Sequence, residues 1–281
     1  MVYPTFRAEV NMASISPTVI SRTRDVERIA HALTTAREHI LTFDFGALET
    51  QIACNGDPVT ALDHDINDVL RDLLPSSDEG WLSEESKDDL RRVNRERVWV
   101  VDAIDGTREL VAGLPEWSVS VGLVEHGRPV AGGVLNPSTG ELFLGSLETG
   151  VELRRLPATA PAFSSNDRSL LLVSRREYNE GRWSDFVPHG WLLRPVGSVA
   201  YRLALVASGC AGATCTYQLR HEWDIAAGIA LVTASGGTVQ TATAKPIVFN
   251  QPVPRIDSFV AISKLCSGSP LDLFLAAHRR A

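Results

Sequence analysis

The residues most able to do chemistry together lie in Asp102-Ala103-Ile104-Asp105-Gly106-Thr107, where an apolar run, Trp99-Val100-Val101, leads into two carboxylates and a Gly-Thr turn. Asp102 and Asp105 are hard anionic ligands close enough in sequence to share hard cations, and Ile104 would offer its carbonyl oxygen rather than its side chain. Gly106 lets the backbone approach a bound group closely. If Gly106 and Thr107 open a helix, their amides point partial positive charge at a phosphate. That is the layout of a metal-phosphate site. The same residues also read as a strand followed by an ordinary Asp-Gly turn, so other segments must supply more ligands before the chemistry is specified.

Three further segments offer acids. Gly80-Trp81-Leu82-Ser83 reads as a short strand running into Glu84-Glu85, and the strand Val98 to Val101 follows soon after. Neighbouring strands can therefore deliver Glu84 and Asp102 to one rim. Asp63 stands three residues after Thr60 in the first turn of an expected helix, which by itself reads as a capping box. Asp224 stands where Trp223-Asp224-Ile225-Ala226-Ala227-Gly228 begins a helix, which by itself reads as an N-cap.

The elements that must position these residues follow from periodicity. Asp25 is placed to cap a helix over 26–41, with Ile29, Leu33, Ile40 and Leu41 as its apolar stripe. A second helix is expected from Thr60 to Leu74, burying Leu62, Ile66, Val69, Leu70 and Leu73 and ended by Pro75. Val98 to Val101 is an unbroken β-forming run and suits a strand buried on both faces. Lys87 to Arg97 reads as a charged surface segment. From Trp117 to Arg154, apolar segments alternate with turn signals at His126-Gly127, Pro137-Ser138-Thr139-Gly140 and Thr149-Gly150, the pattern of an antiparallel meander. Pro157 to Asp167 is rich in Pro, Ala, Ser and Thr and is the best boundary between an N-terminal lobe, 21–160, and a C-terminal α/β lobe, 161–281. Beyond it, strands are expected at 170–173, 191–193, 213–217 and 259–263. Helical segments are expected at 177–186, 198–208, from 223 to near 235, and at 271–278.

The chain has 281 residues, 44% of them hydrophobic, enough for a full core. A net charge of −7 argues against a binder of nucleic-acid polymers or anionic membranes, but not against a small phosphorylated metabolite drawn to a local cationic site. Cys54, Cys210, Cys215 and Cys266 lack the spacing of a zinc site and the density of a disulfide scaffold, so reduced thiols and a cytoplasmic location are expected. Residues 1–20 read as a flexible arm, with Met12 an alternative start. Neither a signal peptide nor a membrane span is expected.

Taken together, Glu84-Glu85, Asp102-Ala103-Ile104-Asp105-Gly106-Thr107 and Trp223-Asp224-Ile225-Ala226-Ala227-Gly228 resemble, in order and spacing, the signature segments of the inositol monophosphatase superfamily, over about 57–237. The resemblance implies a layered αβαβα sandwich of the inositol monophosphatase/fructose-1,6-bisphosphatase type. It also implies two or three Mg²⁺ ions, Li⁺ sensitivity and, since members are often dimers, an open possibility of a homodimer. Carried over residue by residue, Glu84, Asp102 and the Ile104 carbonyl would hold one ion, and Asp102, Asp105 and Asp224 a second, with Glu84 reaching a third. Asp63 would hydrogen-bond Thr107, and the pair would orient and deprotonate a metal-bound water for in-line attack on phosphorus. The Gly106 and Thr107 amides would hold phosphate oxygens.

Ser83-Glu84-Glu85, Gly106-Thr107-Arg108-Glu109 and Gly197-Ser198 look more like the bacterial 3′(2′),5′-bisphosphate nucleotidase branch, which implies removal of the 3′-phosphate of adenosine 3′,5′-bisphosphate. Gly197, Ser198 and Tyr201 would face the nucleoside, with Arg194 nearby. Two positions depart from the pattern. Ala103 stands where the family usually has proline, and Tyr201 where the branch tends to carry lysine. The second departure keeps inositol, sugar or nucleoside monophosphates open as substrates, and a phosphometabolite-binding regulator without turnover is a reading of another class.

Overall fold

The computed structural model describes residues 17–47, 50–52 and 58–278. The turn at Cys54 to Pro58, apart from Pro58 itself, and most of the expected N-terminal arm lie outside the described residues. The first layer is α1 (Pro17–Thr42) and α2 (Ala61–Leu73), joined through an antiparallel ribbon of β1 (Thr50–Ile52) and β2 (Pro58–Thr60). Helix α1 begins earlier than the sequence predicts, at a proline suited to a first helical position, so residues 17–20 belong to it rather than to an arm. Asp25 is therefore not a cap. It lies within α1, 3.1 Å from Arg22 and 2.6 Å from Arg97. Leu41 and Leu73, expected on buried stripes, are exposed, Leu41 because it falls at the edge of its helix's apolar arc and Leu73 because it is the last residue of α2, and Leu74 is buried instead.

The second layer is a six-stranded sheet in the order β3 (Gly80–Ser83), β4 (Arg97–Asp105), β5 (Ser118–Glu125), β6 (Arg128–Asn136), β7 (Glu141–Ser146), β8 (Gly150–Arg155). Strands β3 and β4 are parallel, and every other neighbour pair is antiparallel, as the meander predicts. Strand β4 is apolar on both faces because helices cover both. Trp99, Val101 and Ala103 join the core beneath α1 and α2, while Val98 and Val100 join the core on the other side. The segment before β4 is not wholly a charged surface. Arg92 is buried, bonded to Asp88 and to Asn250.

The remaining elements are α3 (Thr107–Val111), β9 (Leu170–Val173), α4 (Arg175–Asn179), β10 (Leu192–Pro195), α5 (Val199–Ala207), β11 (Ala213–Thr216), β12 (Arg220–His221), α6 (Glu222–Ala234), β13 (Thr238–Thr241), β14 (Arg255–Ile256), β15 (Phe259–Ile262) and α7 (Pro270–His278). Helices α5 and α6 form the middle layer. Helix α6 is apolar all round, as a helix between two sheets must be. The second sheet, ordered β10-β9-β11-β15-β13, packs on their far side, and α7 closes the fifth layer through Phe274. The αβαβα sandwich expected from the sequence is thus the observed fold. One apolar cluster takes Leu82, Val98 and Phe143 from the first sheet and Leu172 and Phe259 from the second, so the two halves share a core across α5 and α6.

The segment expected as one helix at 177–186 is split into α4 and a 3-10 helix, Ser184–His189, with Gly181 in the left-handed region between them. Strand β13 carries no apolar run, being a largely polar edge strand, and the sequence did not announce it.

Close contact between α6 and the first sheet depends on two glycines. A Cβ on Gly122 would sit 2.8 Å from the Ala227 nitrogen, and one on Gly132 would sit 2.4 Å from the Ala227 oxygen. No helix among the described residues is long and apolar enough to cross a membrane. Cys210, Cys215 and Cys266 are free thiols, and Cys54 lies outside the described residues.

Candidate active site

The acids are gathered by three elements. Parallel pairing of Ser83 with Val101 sets Glu84, the next residue after β3, alongside Asp102 on β4. The strand does not end at Val101 but continues to Asp105, with a register shift between Asp102, opposite Ser120, and Asp105, opposite Ser118. One extra residue is accommodated there, and the Ile104 amide bonds Asp102 Oδ1 at 3.1 Å. Ala103 is fully buried within this segment. The pairing and the Asp102 turn hold the conformation that a proline would otherwise help to fix.

Helix α6, pressed onto the sheet at Gly122 and Gly132, brings in Asp224. Ligand oxygens of Glu84, Asp102 and Asp224 all come within 4.8 Å of one another. Asp224 is the third residue of α6 rather than its N-cap. His221 is the cap, and its amide donates to Asp224 Oδ2 at 3.1 Å.

Asp105 stands beside this trio but is held by the start of α5. Its Oδ2 accepts from Ser198 Oγ and from the Ala200 amide, both at 2.6 Å. Asp63, likewise the third residue of its helix, closes a capping box with Thr60, whose hydroxyl and amide both reach its Oδ2. Its other oxygen lies 3.1 Å from Thr107 Oγ1, which is also 3.0 Å from the Ile104 carbonyl. A single hydroxyl thus stands between Asp63 and the backbone of the acidic segment. Gly106 caps α3 with φ 98°, a left-handed conformation that favours glycine.

The pocket of about 280 Å³ is lined by the five acids Asp63, Glu84, Asp102, Asp105 and Asp224, by Ile104, Gly106 and Thr107, and at its mouth by Glu85, Glu109, Gly197, His221 and four arginines, Arg108, Arg175, Arg176 and Arg220. Gly197 packs so tightly on Glu109 that a Cβ there would overlap its carboxyl, so the absence of a side chain shapes the pocket mouth.

Three expected substrate contacts are placed otherwise. Ser198 is fully buried and spends its hydroxyl on Asp105 and the Tyr201 amide, so it positions an acid instead of meeting a nucleoside. Tyr201 points into the core, where its hydroxyl donates to Glu141, because the helix turn that puts Ser198 at the cap puts residue 201 under the sheet. Its identity therefore bears on packing and not on substrate charge. Arg194 stacks on Phe163 at 4.0 Å and does not line the pocket. The sequence reading passed over Arg175, Arg176 and Arg220. Only Arg220, four residues before Asp224, had a signal in its spacing.

Burial and mutual repulsion push these acids toward the neutral form. Glu84 is raised to about 8 by burial of its carboxyl and by Asp224, Glu85, Asp105 and Asp63. Asp102 is raised well above its ordinary range by burial and by Glu84, Asp105 and Asp224. Asp105 is pushed up to about 6 by burial and Asp224, against the Ser198 and Ala200 hydrogen bonds and the pull of Arg220. Burial also raises Asp63. An all-oxygen donor set crowded with unneutralised carboxylates fits a hard divalent cation, which would remove the repulsion.

A model of the inositol monophosphatase family matches residues 23–267. The chain belongs to the inositol monophosphatase family. An inositol-1-monophosphatase of Synechocystis is 30% identical over 201 residues, 68% of this chain and 69% of that one. A histidinol-phosphatase of Chlorobaculum parvum is 28% identical over 212 residues, 70% of this chain and 78% of that one. The structure of CysQ from Bacteroides thetaiotaomicron matches the fold with a TM-score of 0.72 at 24% identity, covering 86% of this chain and 97% of that one. As a member of this family the protein is a phosphoric monoester hydrolase, and the family is metal-dependent.

A stability test follows from the raised carboxyls. Folding must hold them ionised at a cost, so their contribution is most favourable below the ordinary value of 4.5 and is lost as pH rises toward about 8. The metal-free protein should therefore lose melting temperature across that window. Mg²⁺ should raise the melting temperature more at pH 8 than at pH 5. Equal Mg²⁺ shifts at the two pH values, measured by thermal melts, would remove this cluster as the metal site.

Proposed function

We propose that the protein is a Mg²⁺-dependent phosphomonoesterase that removes the 3′-phosphate of adenosine 3′,5′-bisphosphate or a related nucleotide by direct attack of water. The observation that supports the chemistry is the convergence of Glu84, Asp102 and Asp224 beside the Asp63–Thr107 pair. Glu84, Asp102 and the Ile104 carbonyl would hold one ion, and Asp102, Asp105 and Asp224 a second, with Glu84 reaching a third. Bound there, the ions would acidify water and neutralise charge on the phosphoryl oxygens and the leaving oxygen.

The chain's own groups do the rest. Thr107 Oγ1 accepts a hydrogen bond from the attacking water while donating to Asp63 Oδ1, which fixes the water's direction of approach. Burial makes Asp63 a stronger base than a free aspartate, so it is suited to take up the proton released through Thr107. Thr60 keeps the other Asp63 oxygen occupied and the carboxylate still. The amides of Gly106 and Thr107 hold phosphate oxygens at the start of α3.

The nucleotide reading is supported by the arginines around the pocket, which suit a substrate carrying more than one anionic group. A second reading, an inositol, sugar or nucleoside monophosphate, is favoured by Glu85 and Glu109 at the same mouth, which can accept hydrogen bonds from hydroxyl groups. Phosphate release with Mg²⁺ from adenosine 3′,5′-bisphosphate, adenosine monophosphates, inositol 1-phosphate, fructose 1,6-bisphosphate and several sugar phosphates separates the two. The bisphosphonucleotide is expected to give the highest kcat/KM. Preference for a monophosphate would keep the chemistry and move the substrate.

A further inference from the structure

Four arginines line the catalytic pocket, and three of them are already engaged. Arg175 pairs with Glu116 and lies 3.6 Å from Glu109. Arg176 pairs with Glu180 at 3.1 Å, and Arg108 has a partner of its own. Among the described residues the Arg220 guanidinium makes no hydrogen bond or ion pair, and its Nε is buried with no acceptor. The backbone at this position is pinned, because Arg220 pairs with Ile256 in the β12–β14 ribbon directly before the His221 cap of α6.

The wall behind Arg220 also carries positive charge. Arg202 is fully buried there, with Nη1 donating to Thr214 Oγ1 and to the Cys215 carbonyl, both at 3.0 Å, while its Nε and Nη2 find no acceptor. The two guanidiniums are close enough to repel, and Arg255 also faces this region through His221. The acids beside the two guanidiniums are Glu177, whose Oε1 is bonded to the Tyr217 amide and whose buried Oε2 has no partner, and Asp105, which Arg220 attracts from beyond ion-pair distance and whose Oδ2 is bonded to Ser198 and Ala200. A partly buried guanidinium on a pinned backbone, lining the pocket and lacking a hydrogen-bond acceptor, is a site prepared for an external anion.

We propose that Arg220 is a specificity-determining residue that receives a second anionic group, a phosphate or a carboxylate, on the part of the substrate that is not the transferred phosphate. The assignment rests on the phosphomonoesterase reading above and adds the substrate class to it. It selects esters whose alcohol half is itself charged over those whose alcohol half is neutral.

The test uses two pairs of substrates that differ only in that group: adenosine 3′,5′-bisphosphate against adenosine 3′-monophosphate, and 2-phosphoglycerate against glycerol 2-phosphate. The wild-type enzyme should prefer the more highly charged member of at least one pair. Arg220→Gln should cut that preference by about 10- to 100-fold, mainly through KM, and Arg220→Lys should restore part of it. Loss confined to the nucleotide pair identifies the anion as a phosphate, and loss confined to the glycerate pair as a carboxylate. An equal fall on both members of each pair, carried by kcat, would make Arg220 a counter-ion for Asp105 and overturn the proposal. So would a wild-type enzyme with no preference in either pair. Failure of the wild-type protein with Mg²⁺ to release phosphate from any of the four, or from p-nitrophenyl phosphate, would overturn the phosphomonoesterase reading itself.

Discussion

Asp102→Asn is expected to abolish turnover, lowering kcat by about 1000-fold or more, while making the metal-free protein more stable. Asp102 is almost fully buried, and its carboxylate faces Glu84, Asp105 and Asp224. Asparagine keeps the shape and an oxygen that can still accept from the Ile104 amide, so the β4 turn survives. The substitution removes one charge from a crowded set, and the relief is worth about 1 to 3 kcal/mol, or a rise of several degrees in melting temperature at pH 8 without Mg²⁺. The same change removes the carboxylate that both proposed ions share, so the Mg²⁺-induced rise in melting temperature should shrink to near zero. The two effects have opposite signs and come from one substitution. Paired melts with and without Mg²⁺, together with phosphate release, check them, and wild-type turnover in this variant would end the metal assignment.

Thr107→Ala should separate binding from chemistry. The Thr107 side chain lies between Asp63 Oδ1 and the Ile104 carbonyl and is not one of the clustered acids. Removing its hydroxyl leaves Glu84, Asp102, Asp105 and Asp224 in place, so the Mg²⁺ shift in melting temperature should persist. What disappears is the group proposed to orient water and pass its proton to Asp63, and kcat should fall by about 100- to 1000-fold with little change in KM. Full turnover in this variant would show that Asp63 acts without Thr107 or that water is oriented by other groups. Loss of Mg²⁺ binding would mean instead that the hydroxyl holds the Ile104 carbonyl in a ligating position.

Glu84, Asp102 and Asp105 were legible because hard-cation chemistry demands a particular residue type, and few segments place Asp and Glu directly after apolar strands, whereas Asp63 and Asp224 read alone as helix caps and entered the site only through the family resemblance. Glu84 and Asp102 were expected on one rim, and parallel pairing of β3 with β4 puts them there. The substrate side was much less legible. Ser198 and Tyr201 lie close to Gly197 in sequence and read equally well as ligands or as scaffold. Gly197 precedes the Ser198 cap of α5 and Tyr201 is the third residue of that helix, so positions within five residues face a pocket mouth, a carboxylate and the core. Asp25 was misread for a related reason. An acid near the start of an apolar stripe looks like a cap whether the helix begins there or two turns earlier, and the ion pairs with Arg22 and Arg97 that account for it join residues far apart in the chain.

By itself, the sequence determined most of the strands and helices and which acids follow apolar strands, since these depend on periodicity and residue type along short stretches, whereas the five-layer architecture came from the resemblance of the motifs to a known family. The tertiary structure decided which of those carboxylates meet. Glu84, Asp102 and Asp224 converge only because a parallel register aligns two strands and because Gly122 and Gly132 let α6 press its backbone onto the sheet. It also decided which of the four pocket arginines makes no ion pair among the described residues. Pairing consumed Arg175 and Arg176, whereas Arg220 sits on a pinned ribbon with no acid within ion-pair distance among the described residues. Hydrogen-bond partners compete in space, and no local pattern records which group loses that competition.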